Sequence, residues 1–153
     1  MKLIGKLLSR DHILIDLDVS SKKRVFEQVG LLIENTRGIA RSEVFDCLFA
    51  REKLGSTGLG QGVAIPHGRA QGLKEAAAVF IRLKSPIAFE APDNKPVQSL
   101  FVLLVPEQAT DLHLQVLSEL AQLFSSKTMR EQILSAQSAE ELFQLLSDWS
   151  IDA

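Results

Sequence analysis

Leu100-Phe101-Val102-Leu103-Leu104-Val105, closed by Pro106, is apolar from end to end. A strand with one wet face alternates polar and apolar residues, so an unbroken run of this kind predicts a strand covered on both faces. Ala77-Ala78-Val79-Phe80-Ile81-Arg82-Leu83 has almost the same character, and Val63 to Ile65 supplies a shorter third strand. Helical patterns flank this strand block on both sides in sequence. The expected fold is therefore α/β (α+β): a three-layer α/β/α domain with a mixed β-sheet flanked by helices. The patterning carries no strand order.

Working outward toward the N-terminus, Ile13-Leu14-Ile15-Asp16-Leu17 predicts a short strand. Ser20 or Ser21 then offers an oxygen to cap a helix running to about Asn35, with Val25, Val29, Leu32 and Ile33 on its apolar face. A second helix is expected after Ser42, carrying Val44, Phe45, Leu48 and Phe49 and stopping before Gly55, with Arg51 and Lys53 in its last turn. On the C-terminal side Thr110 is placed as the cap of a helix in which Leu112, Val116, Leu120 and Phe124 recur at helical spacing, widened by Leu117 and Ala121. A short helix over Lys127 to Leu134 follows. Ser138-Ala139-Glu140-Glu141 then matches a capping box that opens an amphipathic terminal helix bearing Leu142, Leu145 and Leu146. No repeat or linker-like tract divides the chain, so one domain spanning 1–153 is expected.

Composition narrows the function classes. With 46% hydrophobic and 24% charged residues, the 153-residue chain reads as an ordinary globular protein. Its 17 Lys and Arg against 19 Asp and Glu give a net charge of -2, which supplies no positive field for a nucleic acid. No run approaches the roughly 18 apolar residues of a membrane span, and the first residues, with Lys6 among them, make a poor signal peptide. The single cysteine, Cys47, precludes an intrachain disulfide and reads as a structural thiol. The expected localisation is cytoplasmic.

The chemistry concentrates in Arg51-Glu52-Lys53-Leu54-Gly55-Ser56-Thr57-Gly58-Leu59-Gly60-Gln61-Gly62-Val63-Ala64-Ile65-Pro66-His67-Gly68. Its glycines let backbone N–H groups approach a ligand or form an anion-binding concavity. It is neither a P-loop, since no Gly-Lys-Ser/Thr follows, nor a dinucleotide fingerprint, since the glycines precede a strand. At its end Pro66 is expected to stop a strand and present His67, flanked by glycine, beside open space. A neutral imidazole has a ring nitrogen whose lone pair can attack phosphorus without a separate base. A histidine that merely closes a turn is the plainer reading of Pro-His-Gly alone. Arg51, one turn before the loop, could offset charge on the oxygens of a transferring phosphoryl group, or simply be a solvated helix-end cation. Ser56 and Thr57 could donate hydroxyls to phosphate, Thr57 being favoured, or cap the turn. His12 reads as structural. Three scattered histidines and a distant cysteine make no zinc site, so neither metal nor cofactor is expected.

The stretch Arg-Glu-x-x-x-Ser-Thr-Gly-x-Gly-x-Gly-Val-Ala-Ile-Pro-His-Gly resembles the active-site signature of the IIA components of the fructose and mannitol class of the bacterial phosphotransferase system. The likeness extends to Ser85-Pro86-Ile87-Ala88-Phe89 and Asp93-Asn94-Lys95-Pro96-Val97. It implies a mixed sheet between helical layers and a phosphotransferase component with His67 as its phosphohistidine intermediate, Nε2 being the acceptor. His113-Leu114-Gln115-Val116-Leu117-Ser118-Glu119-Leu120-Ala121 fits the family's His-Leu-x-x-Leu-x-x-Leu-Ala pattern and implies His113 as a second active-site histidine that hydrogen-bonds the phosphoryl group. The stand-alone domain with these later segments is most similar to the nitrogen-regulatory branch. An HPr-like phosphocarrier protein is then the implied donor, with regulatory target proteins downstream. The competing readings are a sugar-specific IIA component passing phosphate to a IIB domain, and a regulatory binding module that is never phosphorylated. Donor access to His67 requires some of Leu54, Leu59, Val63 and Ile65 to stay exposed, and Leu59, within the glycine run, is the expected docking contact.

Overall fold

A computed structural model describes residues 3–108 and 111–149 of the chain. The element order is α1 (Leu3–Leu7), β1 (Leu8–Leu17), α2 (Lys22–Arg37), α3 (Arg41–Lys53), β2 (Gly58–Gly60), β3 (Val63–Ala64), β4 (His67–Ala70), β5 (Ala77–Ile87), β6 (Val97–Pro106), α4 (Leu112–Ser125), α5 (Lys127–Ser135) and α6 (Ala139–Asp148). The sheet runs β1-β5-β6-β3-β2, with β4 also paired to β6. β1 is parallel to β5, β5 antiparallel to β6, β3 and β4 parallel to β6, and β2 antiparallel to β3. The sheet is therefore mixed, as expected.

β5 and β6 lie centrally, and their alternate residues divide between two cores. Val79, Ile81, Leu83, Leu100, Val102 and Leu104 face α2 and α3, where Val25, Phe26, Val29, Ile33, Val44 and Leu48 meet them. Ala78, Phe80, Phe101, Leu103 and Val105 face the opposite layer and join Leu120, Leu123, Phe124, Ile133, Leu142 and Leu146 from α4, α5 and α6. The period-2 geometry of strands explains why both runs are apolar throughout: each successive side chain enters a different core. Arg82 is the polar exception. Only 6% exposed, its guanidinium donates to Asp16 and to the carbonyls of Ile133, Leu134 and Ala136, so it fastens the C-terminal end of α5 to the sheet.

Serine caps fix three helix starts: Ser21, Ser126 and Ser138 each accept from a backbone N–H three residues on. Gly38, at φ 72°, closes α2 in the left-handed region. The start of α3 differs from expectation: it begins at Arg41, before Ser42. The Glu34 carboxylate accepts from the Arg41 backbone N–H at 2.9 Å and so takes over the capping task across the turn. On α4, Ala121 is exposed and Leu123 is buried in its place. Thr110 lies outside the described residues.

The strand regions hold the larger departures. β1 begins five residues earlier than Ile13 and follows a short helix that the sequence reading did not anticipate. The strand does stop ahead of Pro66, but pairing resumes immediately beyond it. Val63 and Ala64 pair with Ser99 and Leu100, and His67 to Ala70 pair with Leu103 to Pro106, so β3 and β4 follow one register along one edge of β6. Proline lacks only the N–H; its carbonyl still accepts from Leu103 N at 2.9 Å and carries the pairing across the interruption.

Candidate active site

The end of α3 and the loop after it are organised by Glu52. Its carboxylate is almost wholly buried and accepts from the Thr57 hydroxyl at 2.6 Å, the Thr57 backbone N–H at 3.1 Å and Lys22 Nζ at 2.8 Å. Lys22 in turn sits over the Phe89 ring, 4.3 Å from its centroid. A buried carboxylate is tolerated when its lone pairs and charge are satisfied in this way. Beyond its place in the signature, Glu52 has no role legible in the sequence, because nothing there tells a buried carboxylate from a solvated one at a helix end.

The same bonds redirect the two hydroxyls expected at phosphate. Thr57 is 5% exposed with its hydroxyl donated to Glu52, and Ser56 Oγ donates to Phe89 O at 2.8 Å while accepting from Gly58 N. Both build the loop, and neither lines the cleft at His67. Beyond them, Gly60, Gln61 and Gly62 take φ of 88°, 59° and 81° in succession. Asp93 holds this left-handed turn by accepting from Gln61 N at 2.9 Å and Lys95 N at 3.1 Å.

His67 opens β4 half-buried, with Nδ1 2.9 Å from the carbonyl oxygen of Ile65. A carbonyl can only accept, so Nδ1 carries the proton, and in the neutral ring Nε2 keeps its lone pair. Burial moves the His67 pKa below its ordinary value, and the positive charge of Arg51 and the proximity of His113 act in the same direction against the opposing pull of the Ile65 bond and Glu52. The imidazole is thus neutral at pH 7.

His67 opens onto a cleft of about 440 Å³ lined by Cys47, Ala50, Arg51, Leu54, Gly68, Arg69, Leu103, Val105 and His113. Arg51 is braced by donating from Nη1 to Gly55 O at 2.8 Å, and His113 enters half-buried from the first turn of α4. Three of the residues singled out from sequence, Arg51, His67 and His113, therefore share one cleft. Arg69 joins them unforeseen. Two residues after His67 on β4, it lines the same cleft and donates to Glu107 O at 2.8 Å. The signal was strand alternation, which the expected stop at Pro66 concealed.

Gly68 is needed for close approach, since a Cβ there would stand 2.9 Å from Cys47 O and 3.0 Å from Cys47 Sγ. The Cys47 thiol donates to Val44 O, and burial pushes its pKa up to about 12, so it is no thiolate nucleophile. Leu54 is 84% exposed on the cleft rim and Leu59 is 41% exposed in β2, whereas Val63 and Ile65 are buried. His12 lies away from the cleft in the core, with Nδ1 at Ala78 O and Nε2 at Thr36 Oγ1. Among the described residues no cluster of three or more His, Cys, Asp or Glu side chains could hold a metal, and no helix is long and apolar enough to cross a membrane.

The arrangement provides an unprotonated ring nitrogen at the edge of an open cleft, with cationic and hydrogen-bonding side chains beside it. The family described as the phosphoenolpyruvate-dependent sugar phosphotransferase system, EIIA 2, matches residues 6–149. A nitrogen regulatory protein of Escherichia coli K12 is 40% identical over 146 residues, covering 95% of this chain and 90% of that protein. The crystal structure of the nitrogen regulatory protein IIA-Ntr from Neisseria meningitidis is 57% identical, with a TM-score of 0.90 over 94% of this chain and 99% of that one. IIA mannitol from Escherichia coli shares the fold at 20% identity, with a TM-score of 0.76 over 90% of this chain and 97% of its own.

Proposed function

The chain belongs to the EIIA 2 family of the phosphotransferase system, and from that premise we propose that it carries a phosphoryl group on His67 Nε2 in a nitrogen-regulatory phosphorelay. One observation carries the reading: His67 Nδ1 is engaged by Ile65 O, which leaves Nε2 as the nucleophile. The Nε2 lone pair forms the new N–P bond as the bond from phosphorus to the donor's histidine breaks. The Nδ1 proton stays on the His67 ring, hydrogen-bonded to Ile65 O, and the donor ring, protonated at its other nitrogen, departs neutral. Arg51, Arg69 and His113 offset charge on the equatorial phosphoryl oxygens, and no metal enters the step.

The donor is an HPr-like phosphocarrier. The identities of 40% and 57% to nitrogen regulatory proteins, against 20% to IIA mannitol, favour regulatory target proteins over a IIB domain as the next partner. Residues 1–153 act as one domain in the cytoplasm. Incubation with phosphorylated HPr-like protein should add the mass of one phosphate in an acid-labile linkage, and His67→Ala should abolish it. Label that persists in His67→Ala and maps to His113 or His12 would refute the assignment. A parental protein that is never labelled, yet retains its target proteins, would instead support a binding module.

A further inference from the structure

A second cleft, of about 570 Å³, opens on the other side of His113. Four separated segments enclose it: Lys6 and Leu7 at the end of α1, Lys74 to Ala76 before β5, Leu103, Val105 and Pro106 at the end of β6 with Gln108 just beyond, and His113 with Val116 on α4. Leu103, Val105 and His113 also line the His67 cleft, so the two spaces share a wall. The floor is apolar, while Lys6 and Lys74 stand at the surface, and neither makes an ion pair among the described residues. Glu75 is the single acidic residue of the lining.

A volume of this size suits a small metabolite, and an apolar floor with cations at one side selects an anion that also carries an apolar body. We propose that this cleft binds a small organic anion of that kind and that its occupancy alters phosphoryl acceptance at His67 through the shared His113 wall. The binding half stands on the cleft alone; the coupling half rests on the role given to His67 above. A ligand that shifts His113 changes a group beside the incoming phosphoryl, and linkage requires phosphorylation to change the ligand's affinity in return.

Hexanoate is a suitable probe and hexanol its neutral control, titrated into nitrogen-15-labelled protein and followed by amide shifts. Saturable shifts are expected at Ala76, Val105 and Val116 with hexanoate, and weaker ones with hexanol. The Lys6→Glu/Lys74→Glu protein, at an unchanged melting temperature, should bind hexanoate about tenfold more weakly or worse. Absent shifts, equal affinity in the double variant, or hexanol binding as tightly as hexanoate would overturn the site. In the same samples hexanoate at the parental dissociation constant should change the rate at which the parental protein is phosphorylated and change the double variant's rate far less. Binding without any change in that rate would overturn the coupling, while the site and the His67 assignment would both stand.

Discussion

At His67 the proposed reactivity depends on one hydrogen bond and on burial. The Ile65 carbonyl selects the tautomer, and burial keeps the ring neutral by moving its pKa below the ordinary value near 6.5. Protonation removes the Nε2 lone pair, so phosphoryl acceptance should level off at high pH and fall as the pH drops through a folded-state value lower than that of a free imidazole. Stability follows the same sign: the unfolded ring binds its proton first, so this group's contribution is full above the unfolded pKa and is lost as the pH falls toward the folded one. Single-turnover labelling across pH 5 to 8, with the donor's own profile subtracted, checks this; a rate that rises on acidification would contradict it. Arg51→Ala and His113→Ala should each slow transfer by about one to two orders of magnitude, the worth of a charge-assisted hydrogen bond of ~1.5 to 3 kcal/mol. Parental rates in folded variants would remove both from the mechanism.

At the level of elements, the loop between α3 and β3 is held from below by a buried carboxylate. Glu52→Ala leaves Lys22 with only the exposed Glu90, at 3.8 Å, and the Thr57 N–H and hydroxyl without acceptors, and should destabilise the fold by about 3 kcal/mol. Denaturant melts measure this, and a loss under about 1 kcal/mol would show the network to be dispensable. How far such features are legible in the sequence varies with the physics behind them. The stripe Val25, Val29, Ile33 and the caps Ser21 and Ser138 are local, and local spacing is enough to find them. Thr57 was expected at phosphate because a hydroxyl that donates to phosphate and one that donates to a carboxylate look alike until the fold brings Glu52 beneath it. β4, and with it Arg69, escaped notice because Pro66 stops donation to the sheet but not acceptance from it, a distinction only the register with β6 reveals. The near approach of Cys47 to Gly68, and the convergence of α4 on the α3 side of the site, are tertiary facts with no sequence period.

The described residues form two cores clamped on β5 and β6, with His67 on the adjoining strand, where helices from both layers reach it. Arg51 comes from one layer and His113 from the other, which explains why the three-layer architecture, foreseen from two apolar runs, also predicts a site fed from distant parts of the chain. An accessible rim suits a protein donor. Leu54 and Leu59 are the exposed large apolar side chains flanking the loop, at 84% and 41%. Leu54→Asp and Leu59→Asp should raise the donor concentration for half-maximal transfer several-fold with an unchanged melting temperature, the larger effect falling on Leu54, which borders the cleft. Unaltered transfer kinetics in Leu59→Asp would move the donor's footprint away from β2, and unfolding of that variant would return Leu59 to the core.

The central claim is the atom that carries the phosphoryl group. Histidine-labelled protein carrying nitrogen-15 in its rings, observed by NMR before and after phosphorylation by an HPr-like donor, reports it directly. The account predicts phosphorus coupling at Nε2 of His67, with its Nδ1 still bonded to Ile65 O and the rings of His12 and His113 uncoupled. Coupling at Nδ1 of His67, or at any nitrogen of another histidine, would contradict it.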